Sequence, residues 1–335
     1  MKGLAKFVLA ALFVCCLALG VPAGEKLRIA FLFQDLETEF WVAGHKAITE
    51  TLRGQGIEVI EFNSNQDANR QLEQLRSAIN QRVDGIMVIP HDGNVAVTMG
   101  KLANRANIPY GVFNRPPSSK DIEAIVVVAD NRTIAAAAVE YMCEEALKMG
   151  RKFTPAIVVG DLADPNAVER RNGFYDAVNN PKYKDLWNDK PIEIMSKWDA
   201  NVLTQNFQSA MQANPDIDFL FTSSDFLIPN IKAVLAPLGK WEKVGHPNHV
   251  VFGALDGDKT ACGQIEEGYL DSTGVQDVFA EAEMLMDAMV AAIDKGEKNP
   301  NEWLFDPGFA LTCGNFKERC EDMWGCKLLF EDRAK

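Results

Sequence analysis

Basic residues are in short supply. The chain carries 47 Asp and Glu against 34 Lys and Arg, a formal charge of −13 at neutral pH. A surface of that sign excludes nucleic acid as a partner, because phosphate backbones are held by a positive face. Long apolar runs are also rare, and beyond Leu19 none approaches the roughly 20 residues that span a bilayer. Histidine occurs only as His45, His91, His246 and His249, with no spacing that sets one beside a nucleophile. Neither HPNH at 246–249 nor the cysteine spacings C-x6-C and C-x5-C near the end form a zinc pattern. The acids between Asp256 and Glu267 resemble a calcium loop, but Ala261 stands where the turn needs glycine. GxSxG, GxxxxGK[ST], HExxH and a GxGxxG after a strand are all missing. The expectation is a protein that is not an enzyme, with no catalytic residue, no cofactor and no metal.

The first residues are read as a leader. Lys2 and Lys6 precede an apolar run from Phe7 to Leu19, and Val21-Pro22-Ala23 suits cleavage after Ala23. Residues 1–23 are therefore expected to be a signal peptide, with residues 24–335 exported. Cys15 and Cys16 follow Phe13 and Val14 rather than the small residues a lipidation site requires. The exported part keeps Cys143, Cys262, Cys313, Cys320 and Cys326. In an oxidising compartment a disulfide is expected to involve at least one of the last three, closing a small local loop, and the odd count leaves at least one thiol unpaired.

From Leu27 onward, apolar strands alternate with helical periodicity. LRIAFLF, IEVIEF, DGIMVIP and IPYGVF read as strands, separated by helices over about 39–52, one carrying Leu72, Leu75 and Ile79 on a single stripe, and one over about 95–106. Such a series implies a parallel sheet covered on both faces. AIVVVAD breaks the rhythm, and Asp130 stands where it would cap the alanine-rich helix running to Met149. The pattern then restarts with TPAIVVG, PIEIMS, IDFLFT, HVVFGAL and LDSTGVQ, again with helices between. A helix over 278–293 has Ala282, Leu285, Met286 and Met289 on a core-facing side, and FDPGFALTC reads as one last strand. The fold class is α/β, with two Rossmann-like halves.

Open α/β sheets offer ligands the groups at the carboxyl ends of their strands. IPYGVF ends in Asn114 and Arg115 before two prolines, and the first strand leads to Thr38, Phe40 and Trp41. In the second half the strand ends lead to Arg170, Trp198, Ser224, Asp256 and Gln276. Planar amide, carboxylate and guanidinium groups engage neighbouring hydroxyls in pairs, and indole and phenyl rings cover apolar C–H faces. That mixture suits a small sugar-like molecule.

The segments FLFQDLETEFW, VDGIMVIPHD, ANIPYGVFNRP, VVVADN, NAVERRNGF, NPDIDFLFTSSD, VVFGALDG and GVQ together resemble the periplasmic sugar-binding proteins of ABC importers, of the ribose-binding type. The resemblance runs from about Lys26 to Phe309. It implies two lobes joined by a three-crossing hinge near Asp130, Gln276 and Phe309, with 24–130 plus 277–309 as the N-terminal lobe and 131–276 plus 310–335 as the C-terminal lobe. It implies a monomer that closes on a sugar, sugar alcohol or sugar derivative and delivers it to an ABC permease. Related receptors for a furanosyl autoinducer, acting through a membrane sensor kinase, are the alternative. By position, Phe40 and Trp41 would cover one sugar face and Trp198 the other, with Thr38, Asn114, Arg115, Arg170, Ser224, Asp256 and Gln276 around the rim. Asn114 stands where ribose receptors have aspartate, Thr38 and Ser224 where they have asparagines, and Leu255 where they have an aromatic. The cysteine-bearing tail matches no part of the family pattern.

Overall fold

The structure is a computed structural model that describes residues 26–335; the expected signal peptide and the cysteines at 15 and 16 lie outside the described residues. The first series comprises β1 (Arg28–Phe33), α1 (Glu39–Gly54), β2 (Glu58–Asn63), α2 (Ala68–Asn80), β3 (Gly85–Val88), α3 (Gly93–Ala106), β4 (Tyr110–Phe113) and β5 (Ile125–Ala129). The second comprises α4 (Asn131–Lys148), β6 (Thr154–Val159), α5 (Pro165–Val178), β7 (Ile192–Met195), α6 (Ala200–Ala213), β8 (Ile217–Thr222), α7 (Ile228–Leu235), β9 (Val251–Asp256), α8 (Lys259–Glu267) and β10 (Ser272–Val275). There follow α9 (Val278–Asp294), β11 (Glu302–Asp306), β12 (Phe309–Thr312), α10 (Phe316–Arg319) and α11 (Trp324–Ala334).

Two six-stranded sheets result, ordered β11-β5-β4-β3-β1-β2 and β12-β10-β9-β8-β6-β7. All pairings are parallel except β10 with β12. Ile29 to Leu32 in one sheet and Ala156 to Val159 in the other are wholly buried, as strands covered by helices on both faces must be. The acidic excess has a local cause. Asp67, Asp92, Asp130, Asp164, Asp199, Asp258 and Asp277 each accept a backbone N–H at a helix N-terminus, where a carboxylate also meets the positive end of the helix dipole.

The chain passes between the sheets after β5, after β10 and after β11. Asp306 pins all three passages. Its carbonyl accepts from Asp130 N at 2.9 Å, its carboxylate from Asp277 N at 2.6 Å and from Gly308 N at 2.9 Å. FDPGFALTC is accordingly two strands and not one: β11 ends at Asp306 and β12 begins at Phe309 in the other sheet. Pro307 has no N–H to extend a ladder, and Gly308 takes φ +52°, which together turn the chain across the hinge.

A disulfide does involve one of the last three cysteines, as expected, but not in a small local loop. Cys326 pairs with Cys262, 64 residues earlier, so the bridge fastens α11 to α8 rather than closing a loop inside the tail. Among the described residues Cys143, Cys313 and Cys320 are free thiols.

Candidate functional site

The carboxyl edges of the two sheets face each other across a cavity of about 740 Å³. All ten side chains read from the strand ends line it, from Thr38, Phe40 and Trp41 at the start of α1 to Gln276 at the end of β10. The volume lies within the range of small-molecule sites. Asn114, Arg115, Arg170, Ser224, Asp256 and Gln276 are buried, whereas Trp41 and Trp198 are half-buried walls.

Each wall combines an indole with a guanidinium. Arg115 lies 5.5 Å from the Trp41 ring centroid, and Arg170 lies 5.8 Å from that of Trp198. Both cations are paired within the protein. Arg115 Nε donates to Asp164 at 2.9 Å, while Nη1 donates to Gln34 and to the carbonyl of His91 at 2.6 Å. Arg170 donates to Asn131 at 2.6 Å and to the Ser223 carbonyl at 2.7 Å, and its Nη1 sits 2.8 Å from Asp256 Oδ1. These bonds orient the planar groups before anything binds. The Arg115–Asp164 pair, together with Asn166 Nδ2 donating to the Asn114 carbonyl at 2.9 Å, joins the edge of the first sheet to the start of α5.

Asn114 faces the hinge as much as the cavity. Its two amide hydrogens go to Gln276 Oε1 at 2.9 Å and to Glu281 Oε2 at 2.8 Å, and its Oδ1 accepts from Asn166 at 3.2 Å. It adopts φ +60°, a left-handed conformation that asparagine tolerates better than most residues. Glu281, fully buried on α9, has its carboxyl held well above the usual range by desolvation. Gln276 passes the network on to Asp256 Oδ1 at 2.8 Å, and the Ser224 hydroxyl donates to the other Asp256 oxygen. Thr38 caps α1, accepting weakly from Trp41 N at 3.5 Å.

Trp198 depends on a glycine beneath it. A Cβ on Gly160, just past β6, would lie 2.1 Å from the indole. Gly160→Ala should therefore displace the ring, leaving stability little changed but changing the tryptophan emission spectrum. An unaltered spectrum would show that the ring does not rest there.

Behind Asp256 lie two further buried acids. Asp225 accepts from the amides of Gly257 at 2.6 Å and Asp258 at 3.0 Å and from Thr273 Oγ1 at 2.9 Å. Burial pushes the Asp225 carboxyl well above its ordinary value, with the nearby Asp258 and Asp256 adding to it, and pushes Asp258 up to about 7. Burial also raises Asp256, opposed by Arg170 and the Ser224 hydroxyl. Acids with raised folded values hold protons that the unfolded chain releases near pH 4, so stability falls as pH rises from about 4 toward 7. The thermal midpoint should be several degrees higher at pH 5 than at pH 8. Asp258→Asn, which keeps a capping side chain, should flatten that slope; an unchanged slope would rule out Asp258 as its source.

Several parts of the site escaped sequence reading. Asp164 has the ordinary signature of an N-cap, and it does accept from Asn166 N at 3.0 Å, yet its other oxygen holds both Arg115 and the Trp198 indole. Gln34 is visible only as the residue after β1. Glu281 lies one position from the apolar stripe of α9 and carries no signal of its own.

Comparison with known proteins decides the family. A model described as periplasmic binding protein domain matches residues 29–298. The chain belongs to the periplasmic binding protein family. Members are binding proteins and not enzymes. The chain is 23% identical over 257 residues to the ribose import binding protein of Bacillus subtilis, covering 75% of this chain and 77% of the relative. It is 22% identical over 302 residues to the D-xylose-binding periplasmic protein of Haemophilus influenzae, covering 84% and 86%. The solved solute-binding protein of an ABC transporter from Bacillus halodurans, with bound myo-inositol, superposes with TM-score 0.75 at 22% identity, covering 88% of this chain and 96% of that one. The two-sheet architecture of this periplasmic binding protein is thus shared, while its tail lies beyond the residues that the family model matches.

Proposed function

We propose that the protein captures a neutral sugar, sugar alcohol or related polyol between its two sheets and delivers it to an ABC permease. The observation that carries this reading is the pairing of both cavity arginines with carboxylates, between two half-buried indole walls. A cavity whose arginines are already matched, with Asp35, Glu37 and Asp92 on its lining against the single exposed Lys197, repels an anion and favours hydroxyls that donate as well as accept. Thr38, Asn114, Arg115, Arg170, Ser224, Asp256 and Gln276 hydrogen-bond the rim, and Phe40, Trp41 and Trp198 cover the faces. The names of relatives, which include binders of ribose, xylose, allose and xylitol, fall in the same chemical class. On this reading 24–130 with 277–309 and 131–276 with 310–335 move as two bodies about the Asp306 hinge.

A thermal-shift panel of D-ribose, D-xylose, D-allose, xylitol and myo-inositol, with galacturonate as an anionic control, tests it. Saturation at a hundred times the dissociation constant stabilises the folded state by about 2.7 kcal/mol, a shift of several degrees. At least one neutral compound should shift the midpoint and the acid should not. A response to the acid alone would overturn the ligand class. Delivery is tested separately, by stimulation of a reconstituted permease by the loaded protein.

A further inference from the structure

The tail fastened by the Cys262–Cys326 bridge lies against the residue that holds the cavity's key carboxylate. Asp256 sits at φ +142°, a backbone conformation that L residues rarely adopt, and such strain persists only where surrounding bonds enforce it. Five contacts do so here. The amides of Gly257 and Asp258 donate to Asp225, as described above, Gln276 N donates to the Asp256 carbonyl at 3.3 Å, and the remaining two contacts come from the tail: Trp324 Nε1 donates to the same carbonyl at 3.0 Å, and Gly325 N donates to the Gly257 carbonyl at 3.1 Å. Trp324 is 1% exposed, although it lies in a charged terminal segment with no apolar period.

The same indole reaches the other wall of the cavity. Its ring centroid is 6.0 Å from that of Phe40 in an edge-on arrangement and 6.4 Å from that of Phe279 at the start of α9. Phe40, Trp324, Cys262 and Cys326 belong to one apolar cluster. A second tie runs along the surface, where Lys259 Nζ contacts Glu39 at 2.8 Å and Asp332 of α11 at 3.0 Å, and Lys259 N donates to Glu39 at 3.0 Å. The tail therefore touches α1, α8 and α9 at once.

We propose that residues 316–335 form a strap across the seam between the two sheets, and that Trp324 is a positioning residue that sets the Asp256 carboxylate for ligand. The Cys262–Cys326 bridge keeps the indole seated by fixing the start of α11 to α8. The inference rests on the cavity being the binding site, but its first readout needs no ligand.

Amide hydrogen exchange of the ligand-free full chain is followed over residues 251–258 in wild type, Trp324→Phe, Trp324→Leu and the Cys262→Ser/Cys326→Ser double variant. Phenylalanine keeps an aromatic ring but lacks the N–H, so Trp324→Phe should speed exchange in that segment about tenfold, the equivalent of one lost hydrogen bond, with β1 and α6 unchanged. The double cysteine variant should show the same local change together with faster exchange in α11. For each compound of the panel that shifts the wild type, Trp324→Phe should bind about tenfold more weakly with its ligand-free midpoint nearly unaltered. Unchanged exchange over 251–258 in Trp324→Phe, with faster exchange confined to α11, would reduce the tail to a cover on α8 and overturn the proposal. Unchanged affinity in that variant would do the same. If Trp324→Leu fails to fold, the phenylalanine variant still decides, and a panel in which nothing binds counts against the sugar reading without altering the exchange result.

Discussion

Arg170→Ala should cost roughly 3–5 kcal/mol of folding stability, read from urea denaturation, because it strands a buried carboxylate. The guanidinium is 4% exposed and supplies the contact to Asp256 Oδ1, along with bonds to Asn131 and the Ser223 carbonyl. Burial already lifts the Asp256 carboxyl, so without its cation it takes up a proton and no longer presents an anionic acceptor to the cavity. Arg115→Ala should behave differently. Arg115 bonds to Gln34 and the His91 carbonyl beside it, whereas Asp164 approaches from the start of α5 on the second sheet. Its loss also strands a buried carboxylate, Asp164, but leaves that group the Asn166 amide and the Trp198 indole as donors, so the cost in folding stability should be smaller, about 1–3 kcal/mol, while binding of any panel sugar weakens ten- to a hundredfold. Equal urea midpoints for wild type and Arg170→Ala would show that the Asp256 carboxylate finds other partners.

The lining of the candidate site was legible in the sequence for a topological reason. A parallel sheet delivers every strand end to the same edge, so the residues after β1, β4, β8, β9 and β10 converge wherever the strand boundaries are read correctly. Asn114 and Arg115 could be placed from IPYGVFNRPP alone, because two prolines stop the strand. What each group bonds to was not legible. Asp164 and Glu281 gain their roles from contacts 49 and 167 residues away, with Arg115 and Asn114, and nothing local distinguishes them from a cap and a helix-surface acid. The tail shows the same limit. Trp324 and Cys326 carry no period, and only the packing of α11 on α8 reveals that Cys262 is the partner. The family resemblance set a crossing near Phe309, but the division of FDPGFALTC into β11 and β12 was hidden from periodicity, because the two strands join without a polar loop and so read as a single run.

Asn114→Asp should destabilise the hinge by about 3 kcal/mol at pH 8 and by much less at pH 5. The sequence motivates this substitution by analogy with ribose receptors, where the expected penalty falls on the ligand. The structure locates the penalty first within the protein. Asn114 Nδ2 donates to Gln276 and to Glu281, and a carboxylate in its place has no hydrogen to give, leaving two buried acids at hydrogen-bonding distance. Glu281 is already pushed toward its protonated form in the wild type, and the added carboxyl, buried beside it, is pushed the same way. The folded variant then binds one more proton at pH 8 than the folded wild type, a proton that the unfolded chain releases near pH 4, so stability falls further as pH rises through that window and the deficit grows. Glu281→Gln added to Asn114→Asp should restore most of the loss, because the new amide donates to the new carboxylate; the double-mutant cycle should give a coupling of 1 kcal/mol or more, within the roughly 0.5–3 kcal/mol measured for residues in contact. Urea denaturation of the four proteins at both pH values decides it. Losses equal at pH 5 and pH 8, with no rescue by glutamine, would mean that the carboxylate turns away from Glu281 toward the cavity, and the penalty would then appear only in binding.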